Sequence, residues 1–177
     1  MRKFVAVWGV VAMTAGMFAV SAVSASAADG GDITCQGGNG QVQFNPGVTF
    51  KKGTTQVQAN GDLGTCTSAS QPKITGGVWR FVGSGTGACP GPFAVGTGKM
   101  QISWSDGTTS VLPGTSVRAE AFTWSLDGAV SQGSFTGQTS HLSGRSTTSA
   151  TDMGAQCITS GLNTYSGTIE SFAIGAG

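Results

Sequence analysis

Short stretches in which apolar and polar residues alternate recur along the chain from about residue 41 onward, separated by glycine or Asp-Gly. Clear examples are residues 41–44, 55–59 and 99–105. Alternation with period 2 is typical of β-strands that bury one face. Apolar residues do not recur at the spacing of three and four that a helix requires. The pattern therefore predicts an all-β, antiparallel fold of about ten strands with no convincing helix.

Three dipeptides predict tight hairpin turns, namely Asn60-Gly61, Asp106-Gly107 and Asp127-Gly128, because Asn-Gly and Asp-Gly readily adopt the positive φ of type I′ turns. Residues 137–156 are rich in Ser and Thr and poor in apolar residues, which predicts a long loop with an irregular strand. A β-sandwich and a closed up-and-down β-barrel would both hide the strand edges. We favour the sandwich and keep the barrel as the alternative.

Residues 116–124 break the simple alternation, because Arg118, Glu120, Phe122 and Trp124 all fall on one side of a period-2 strand. A strand cannot bury all four side chains together. The pattern predicts either a bulge in this strand or a rim to which the aromatic residues contribute.

The first residues have the features of a secretory signal peptide. Arg2 and Lys3 form a basic start, an apolar run follows to about residue 20, and residues 25–27 (Ala-Ser-Ala) fit a signal-peptidase site. The apolar run is short for a membrane span of about 20 residues, and no later segment approaches that length. We expect residues 1–27 to be cleaved, leaving residues 28–177 as one secreted domain with no stable membrane insertion.

The cysteine count supports an oxidising compartment. An even number of cysteines in an exported chain predicts disulfides, and four cysteines allow three pairings. We favour Cys35–Cys66 and Cys89–Cys157. A metal site is not expected, because the chain has no Cys-x-x-Cys pair and a single histidine.

The low charge of the chain argues against one class of partner. Charged residues make up 10% of the chain, and loss of Arg2 and Lys3 leaves seven basic residues against eight acidic ones, a formal net charge of −1. A basic face that could neutralise phosphates is missing, so nucleic acid is not an expected partner.

Catalytic chemistry finds little support. His141 is the only histidine, and no serine has the Gly-x-Ser-x-Gly context of a nucleophile. Glu120 and Glu170 are the two acids in predicted strands that could face a common groove as a carboxylate pair. A solvated residue or a cross-strand pair is the simpler interpretation of Glu120 beside Arg118. We predict no catalytic residues and no cofactor.

Aromatic residues give the remaining functional signal. Trp124, Trp104 and Tyr165 are candidate binding residues, because indole and phenol rings stack on flat apolar surfaces such as those of sugar rings. Ordinary core packing is the alternative for these residues and for Trp79, and we favour it. Trp124 is the expected exception, because its alternation conflicts with that of Arg118 and Glu120.

The domain resembles a loose group of small secreted actinobacterial proteins of unknown function. The resemblance rests on Asn45-Pro46-Gly47 after an early cysteine, residues 61–66 (Gly-Asp-Leu-Gly-Thr-Cys), residues 104–108 (Trp-Ser-Asp-Gly-Thr) and residues 133–137 (Gly-Ser-Phe-Thr-Gly). It implies an extracellular β-rich domain and transfers no catalytic residue.

These observations favour a non-catalytic binding or cell-surface interaction module, with an extracellular polysaccharide as one candidate partner. The alternative is a small secreted hydrolase or a protease inhibitor, with residues 89–93 (Cys-Pro-Gly-Pro-Phe) as the candidate inhibitory loop. The oligomeric state does not follow from the sequence.

Overall fold

The computed structural model describes residues 32–91 and 93–175. The predicted signal peptide and its cleavage site lie outside these residues. Nine strands and one helix occupy the described part: β1 Ile33–Val48, β2 Gly53–Ser68, β3 Gly77–Gly87, β4 Ala94–Trp104, β5 Thr109–Ala119, β6 Thr123–Ala129, β7 Gln132–Gly133, β8 Thr139–Ser146, α1 Ala150–Thr159 and β9 Leu162–Gly175. No helix in the described ranges is long and apolar enough to span a membrane.

Eight of the strands form one closed antiparallel barrel. Going round the ring, the order is β1, β2, β3, β4, β5, β6, β8 and β9, and β9 pairs with β1 again. The short strand β7 adds to the edge of β5. The all-β prediction is confirmed, and the sheet closes into the barrel that was the alternative rather than dividing into the two layers of a sandwich.

Paired glycines help the two longest strands to bend round the barrel. Gly37 on β1 lies opposite Gly64 on β2, and both have positive φ, 78° and 69° respectively. Such left-handed residues make the kinks that curve a sheet on itself. The two strands therefore continue for 16 residues each without a break.

Two of the three predicted hairpin turns are wrong. Asn60-Gly61 lies inside β2, where a Cβ on Gly61 would collide with the carbonyl of Asn39 on β1. This glycine permits a close approach of two backbones instead of a turn. Asp127-Gly128 lies inside β6, and the chain reverses after this strand, over residues 130–138, before it pairs back as β8.

The third predicted turn is confirmed. Asp106 and Gly107 connect β4 to β5, and Gly107 has a φ of 87°. The Asp106 carboxylate accepts hydrogen bonds from the backbone N–H and the hydroxyl of Thr108, at 2.9 and 2.7 Å. These bonds hold the pKa of Asp106 below its usual value and fix the turn.

Helix α1 corrects the prediction of a long loop over residues 137–156. The Ser149 hydroxyl caps the helix by accepting from the backbone N–H of Asp152, while donating to its carboxylate at 2.6 Å. Ser-x-x-Asp is a variant of the capping box and was the available sequence signal. The apolar signal was weak because the helix buries only Met153 and Cys157.

The barrel interior is filled with side chains, as expected for eight strands. Both predicted disulfides are confirmed. Cys35 and Cys66 are directly opposed on β1 and β2, whereas Cys89, after β3, is bonded to Cys157 on α1. The second bond fastens the helix over one end of the barrel, which we call the helix end.

Candidate binding site at the helix end of the barrel

The three predicted binding residues lie inside the barrel. Trp104 and Trp124 are 4% exposed and Tyr165 is 1% exposed. The expectation that Trp124 lies on a rim is wrong, because the chain reverses after Glu120 and Phe122. Trp124 therefore lies in a new strand, β6, as its second residue, and points inward. Core packing, the interpretation that we favoured for the tryptophans in general, holds for all three residues.

The rings of Trp104 and Tyr165 each have a defined packing partner. Trp104 donates from Nε1 to the buried Ser110 hydroxyl at 2.9 Å and packs edge-on against Phe135. Tyr165 packs edge-on against Phe93, with ring centroids 6.1 Å apart. In this conformation their faces are covered by protein and do not form a platform for an external ligand.

The helix end presents three large apolar side chains, of which the sequence analysis named only Phe122, as part of a possible aromatic rim. Phe50, Phe122 and Ile158 are 60%, 59% and 74% exposed. They come from the β1–β2 turn, the β5–β6 turn and the last turn of α1. The turn that carries Phe122 is held by its carbonyl, which accepts from the backbone N–H of Ser146 at 2.9 Å.

A groove of about 310 Å³ runs between these side chains. Its buried floor includes Phe93, Met153 and the Cys89–Cys157 disulfide. Every residue that lines it is uncharged, and nearly all are apolar: Phe50, Cys89, Pro90, Phe93, Ala121, Phe122, Ala150, Met153, Gly154, Cys157 and Ile158. An apolar groove of this kind favours contact with an apolar partner.

Backbone hydrogen bonds connect the loops that form the groove. Cys89 N–H donates to the Thr49 carbonyl at 2.9 Å, which joins the β3–β4 loop to the β1–β2 turn. Phe93 N–H donates to the Ala119 carbonyl at 2.7 Å, which joins the same loop to the end of β5. The groove is therefore a preformed part of the barrel end, and binding would not have to order these loops.

Charge at the helix end is asymmetric. Lys51 and Lys52 follow Phe50 in the β1–β2 turn, and neither forms an ion pair with any residue in the described ranges. Glu120 is engaged by Arg118, with Nε to Oε1 at 2.7 Å, and Asp152 accepts from the helix cap. The exposed Phe50 is therefore followed directly in the sequence by two lysines that form no ion pair in the described ranges.

The outer wall formed by β5, β6, β8 and β9 carries the candidates for catalysis. Glu120, directly after β5, and Glu170 on β9 line one shallow depression of about 320 Å³, so the predicted common groove exists although only Glu170 lies in a strand. Arg145 Nε donates to Glu170 at 2.8 Å, and Arg118 holds Glu120 in the same way. A glycosidase needs one carboxyl as acid and one as nucleophile or base. Both carboxylates are held by guanidinium groups, Glu170 across two strands and Glu120 within one chain segment, as is typical of exposed ion pairs.

His141 pairs through Nδ1 with Asp127 on the neighbouring strand, and both side chains are exposed. Within the part of the chain that the structure describes, no serine hydroxyl makes a hydrogen bond to this imidazole, and no three His, Cys, Asp or Glu side chains cluster as metal ligands. The pair therefore has an orienting carboxylate without a nucleophile.

No protein-family model, curated protein or solved structure matches this chain. The assignment of a site therefore rests on geometry, and the groove is the arrangement that geometry favours.

Proposed function

We propose that this protein is a secreted, non-catalytic binding module that holds its partner at the helix end of the barrel. The pairing of all four cysteines in disulfides supports an oxidising compartment. The ion-paired carboxylates and the His141–Asp127 pair without a nucleophile support a binding role over a hydrolytic one.

The observation that carries the proposal is the convergence of Phe50, Phe122 and Ile158 around an uncharged groove. Soluble proteins rarely expose contiguous large apolar side chains without a binding role. Burying one such side chain contributes about 1.5 to 3 kcal/mol, so three of them supply enough for a specific interaction.

A polysaccharide partner has less support than an apolar one. Its argument rested on exposed aromatic rings, above all Trp124, and that ring is buried. The polar outer wall around Arg118 and Glu170 is the remaining surface for sugar hydroxyls.

A protease inhibitor has less support as well. Pro90 and Gly91 are exposed in the candidate loop, but Cys89 and Phe93 on either side are buried. An inhibitory loop fills a protease cleft by pairing an extended main-chain segment, and the burial of Cys89 and Phe93 removes both ends of this loop from such pairing.

The test is a titration of the disulfide-intact protein with N-phenylnaphthylamine, a neutral apolar dye that fluoresces when it leaves water. We expect saturable binding that falls at least about tenfold in the Phe50→Ser, Phe122→Ser double variant, because one lost aromatic contact of about 1.4 kcal/mol already gives that factor. The matched control is Val78→Ser with Val82→Ser on the barrel wall, whose side chains are 57% and 45% exposed.

Equal dye binding by both double variants would overturn the proposal, as would no binding by the unmodified protein. Retention of the protein on insoluble chitin or cellulose that survives Phe50→Ser and Phe122→Ser would move the site to the polar wall and also overturn it.

A further inference from the structure

We propose that the partner of the helix end is an anionic lipid surface, on which the barrel stands end-on. Phe50, Phe122 and Ile158 would enter the boundary between headgroups and acyl chains, and Lys51 and Lys52 would contact the lipid phosphates. This inference rests on the proposed function and names the partner of the same site.

The arrangement of the apolar side chains fits a surface better than a small ligand. Phe50 and Phe122 lie in turns at the end of the barrel, and Ile158 lies on the exposed side of α1. A molecule inside the groove would leave much of these side chains in water. A lipid interface covers all three at once, and interfacial binding strengthens with the apolar area that it buries.

Charge selects the kind of surface. Lys51 and Lys52 adjoin Phe50 in the chain and have no acidic partner in the described ranges, whereas Glu120 is neutralised by Arg118. Basic residues beside inserted apolar side chains are attracted to anionic lipids, and each strengthens binding roughly fivefold. Asp152, in the first turn of α1, is an acid at this end that no basic side chain pairs with in the described ranges.

The same lysines argue against a second copy of the chain as the occupant. A two-fold dimer through the helix end would place the same patch of both copies face to face. Such a dimer would bring four lysines together with two carboxylates that no basic side chain of the described ranges neutralises, those of Asp152. An anionic lipid surface supplies more opposite charge than a second copy does.

The barrel wall limits the depth of contact. Outward positions of β2 next to the helix end are polar, including Thr54, Gln56 and Gln58, and they are exposed. Moving such side chains into hydrocarbon without hydrogen-bond partners is unfavourable. Binding should therefore be peripheral and reversible, with only the tips of the helix end in the interface.

The experiment is co-sedimentation of the disulfide-intact protein with vesicles of phosphatidylcholine alone and of phosphatidylcholine mixed with phosphatidylglycerol. We expect binding to the mixed vesicles that is at least about tenfold tighter than to the neutral ones and that weakens with added salt. Lys51→Gln with Lys52→Gln should lower the affinity on the order of 20-fold. Phe50→Ser with Phe122→Ser should abolish sedimentation.

Two matched controls separate the site from general effects. Lys73→Gln with Lys99→Gln makes the same change of net charge away from the helix end, and Val78→Ser with Val82→Ser makes the same kind of apolar change on the wall. Both should bind as the unmodified protein does. An equal loss in either control would overturn the inference.

The outcomes distinguish this inference from the proposed function. Binding of the neutral dye in the groove without sedimentation on mixed vesicles would overturn the lipid surface and leave the binding module standing. If the unmodified protein neither binds the dye nor sediments with the mixed vesicles, both the lipid inference and the proposed binding module are overturned. A dimer in solution that Phe50→Ser and Phe122→Ser dissociate, without vesicle binding, would assign the helix end to a second copy.

Discussion

The indole rings of Trp79 and Trp124 stack inside the barrel, with centroids 5.6 Å apart and planes inclined by 27°. The stack lies against backbone that carries no side chain. A Cβ on Gly40 would come within 2.8 Å of Trp79, and a Cβ on Gly144 would overlap the indole of Trp124. The glycines of β1 and β8 thus make the room that two large rings need inside an eight-stranded barrel.

Gly144→Ala should destabilise the protein severely. The added methyl group overlaps Cε2 and Nε1 of Trp124, and overpacking of a filled core costs about 1 to 3 kcal/mol or more. Urea denaturation followed by tryptophan fluorescence measures the loss. Gly114→Ala on β5 is the control, because a Cβ there meets no atom within 4 Å. An unchanged urea midpoint for Gly144→Ala would contradict the packing described for Trp124.

Much of the barrel wall was predictable because period-2 alternation depends on local sequence alone. The stretches at residues 41–44 and 55–59 lie in β1 and β2, and the stretch at residues 99–105 lies in β4 except for its last residue. What alternation does not reveal is the role of a glycine. Asn60-Gly61 has the sequence of a turn, yet Gly61 is needed where β1 and β2 approach closely. Closure of the sheet depends on such long-range contacts, so the choice between sandwich and barrel was open.

Most of the candidate site was not predictable for a related reason. Phe50 appears in the sequence as a single apolar residue within a turn, and Ile158 belongs to a helix with little apolar signal. Phe122 was considered only as part of a bulged strand or a rim together with Trp124. The pairing of β4 with β5 and of β9 with β1 closes the barrel. Closure places the β1–β2 turn, the β5–β6 turn and α1 together at one end. The prediction that Trp124 is exposed was wrong because it assumed one strand over residues 116–124. The chain instead reverses between β5 and β6, which places Trp124 on the inward side of β6.

Replacement of Cys89 and Cys157 by alanine should disrupt the groove as well as stability. The disulfide joins residues 68 apart and fastens α1 to the β3–β4 loop, so its loss frees the helix that carries Ile158. The loop-entropy relation gives about 4 kcal/mol for the loss of unfolding free energy. We expect a lower midpoint in urea and, under conditions where the barrel remains folded, at least about tenfold weaker binding of the neutral dye.

The control is the Cys35→Ala, Cys66→Ala double variant. This disulfide links β1 to β2, whose backbones are already paired on either side of it. Its removal should also cost about 4 kcal/mol by the same relation while leaving dye binding unchanged. Equal dye binding by the two double variants would show that α1 does not need its disulfide to form the groove.

Ser110→Ala should cost about 1 to 3 kcal/mol of unfolding free energy. The Ser110 hydroxyl accepts from Trp104 Nε1 at 2.9 Å and donates to the Ser134 carbonyl at 2.6 Å, so its loss deprives one buried and one partly buried group of their partner. Ser116→Ala on the same strand is the control, because that hydroxyl is exposed. Urea denaturation of both variants is the measurement, and equal midpoints would contradict a structural role for the Ser110 bonds.

Alkaline pH should weaken the protein through Tyr165. Burial, with a smaller contribution from the negative charge of Glu120, raises the pKa of Tyr165 to about 12. In the unfolded chain the phenol ionises near pH 10. The folded state therefore binds the proton more tightly. Its contribution is complete below pH 10 and is lost as the pH rises to 12, by on the order of 2 kcal/mol.

The titration can be read directly, because Tyr165 is the only tyrosine in the chain. Ultraviolet absorbance of the phenolate should rise near pH 12 in the folded protein and near pH 10 in urea. Tyr165→Phe should remove this part of the stability loss between pH 10 and 12. Phenolate formation near pH 10 in the folded protein would mean that the ring is accessible to water, and the close packing of Tyr165 against Phe93 would then be wrong.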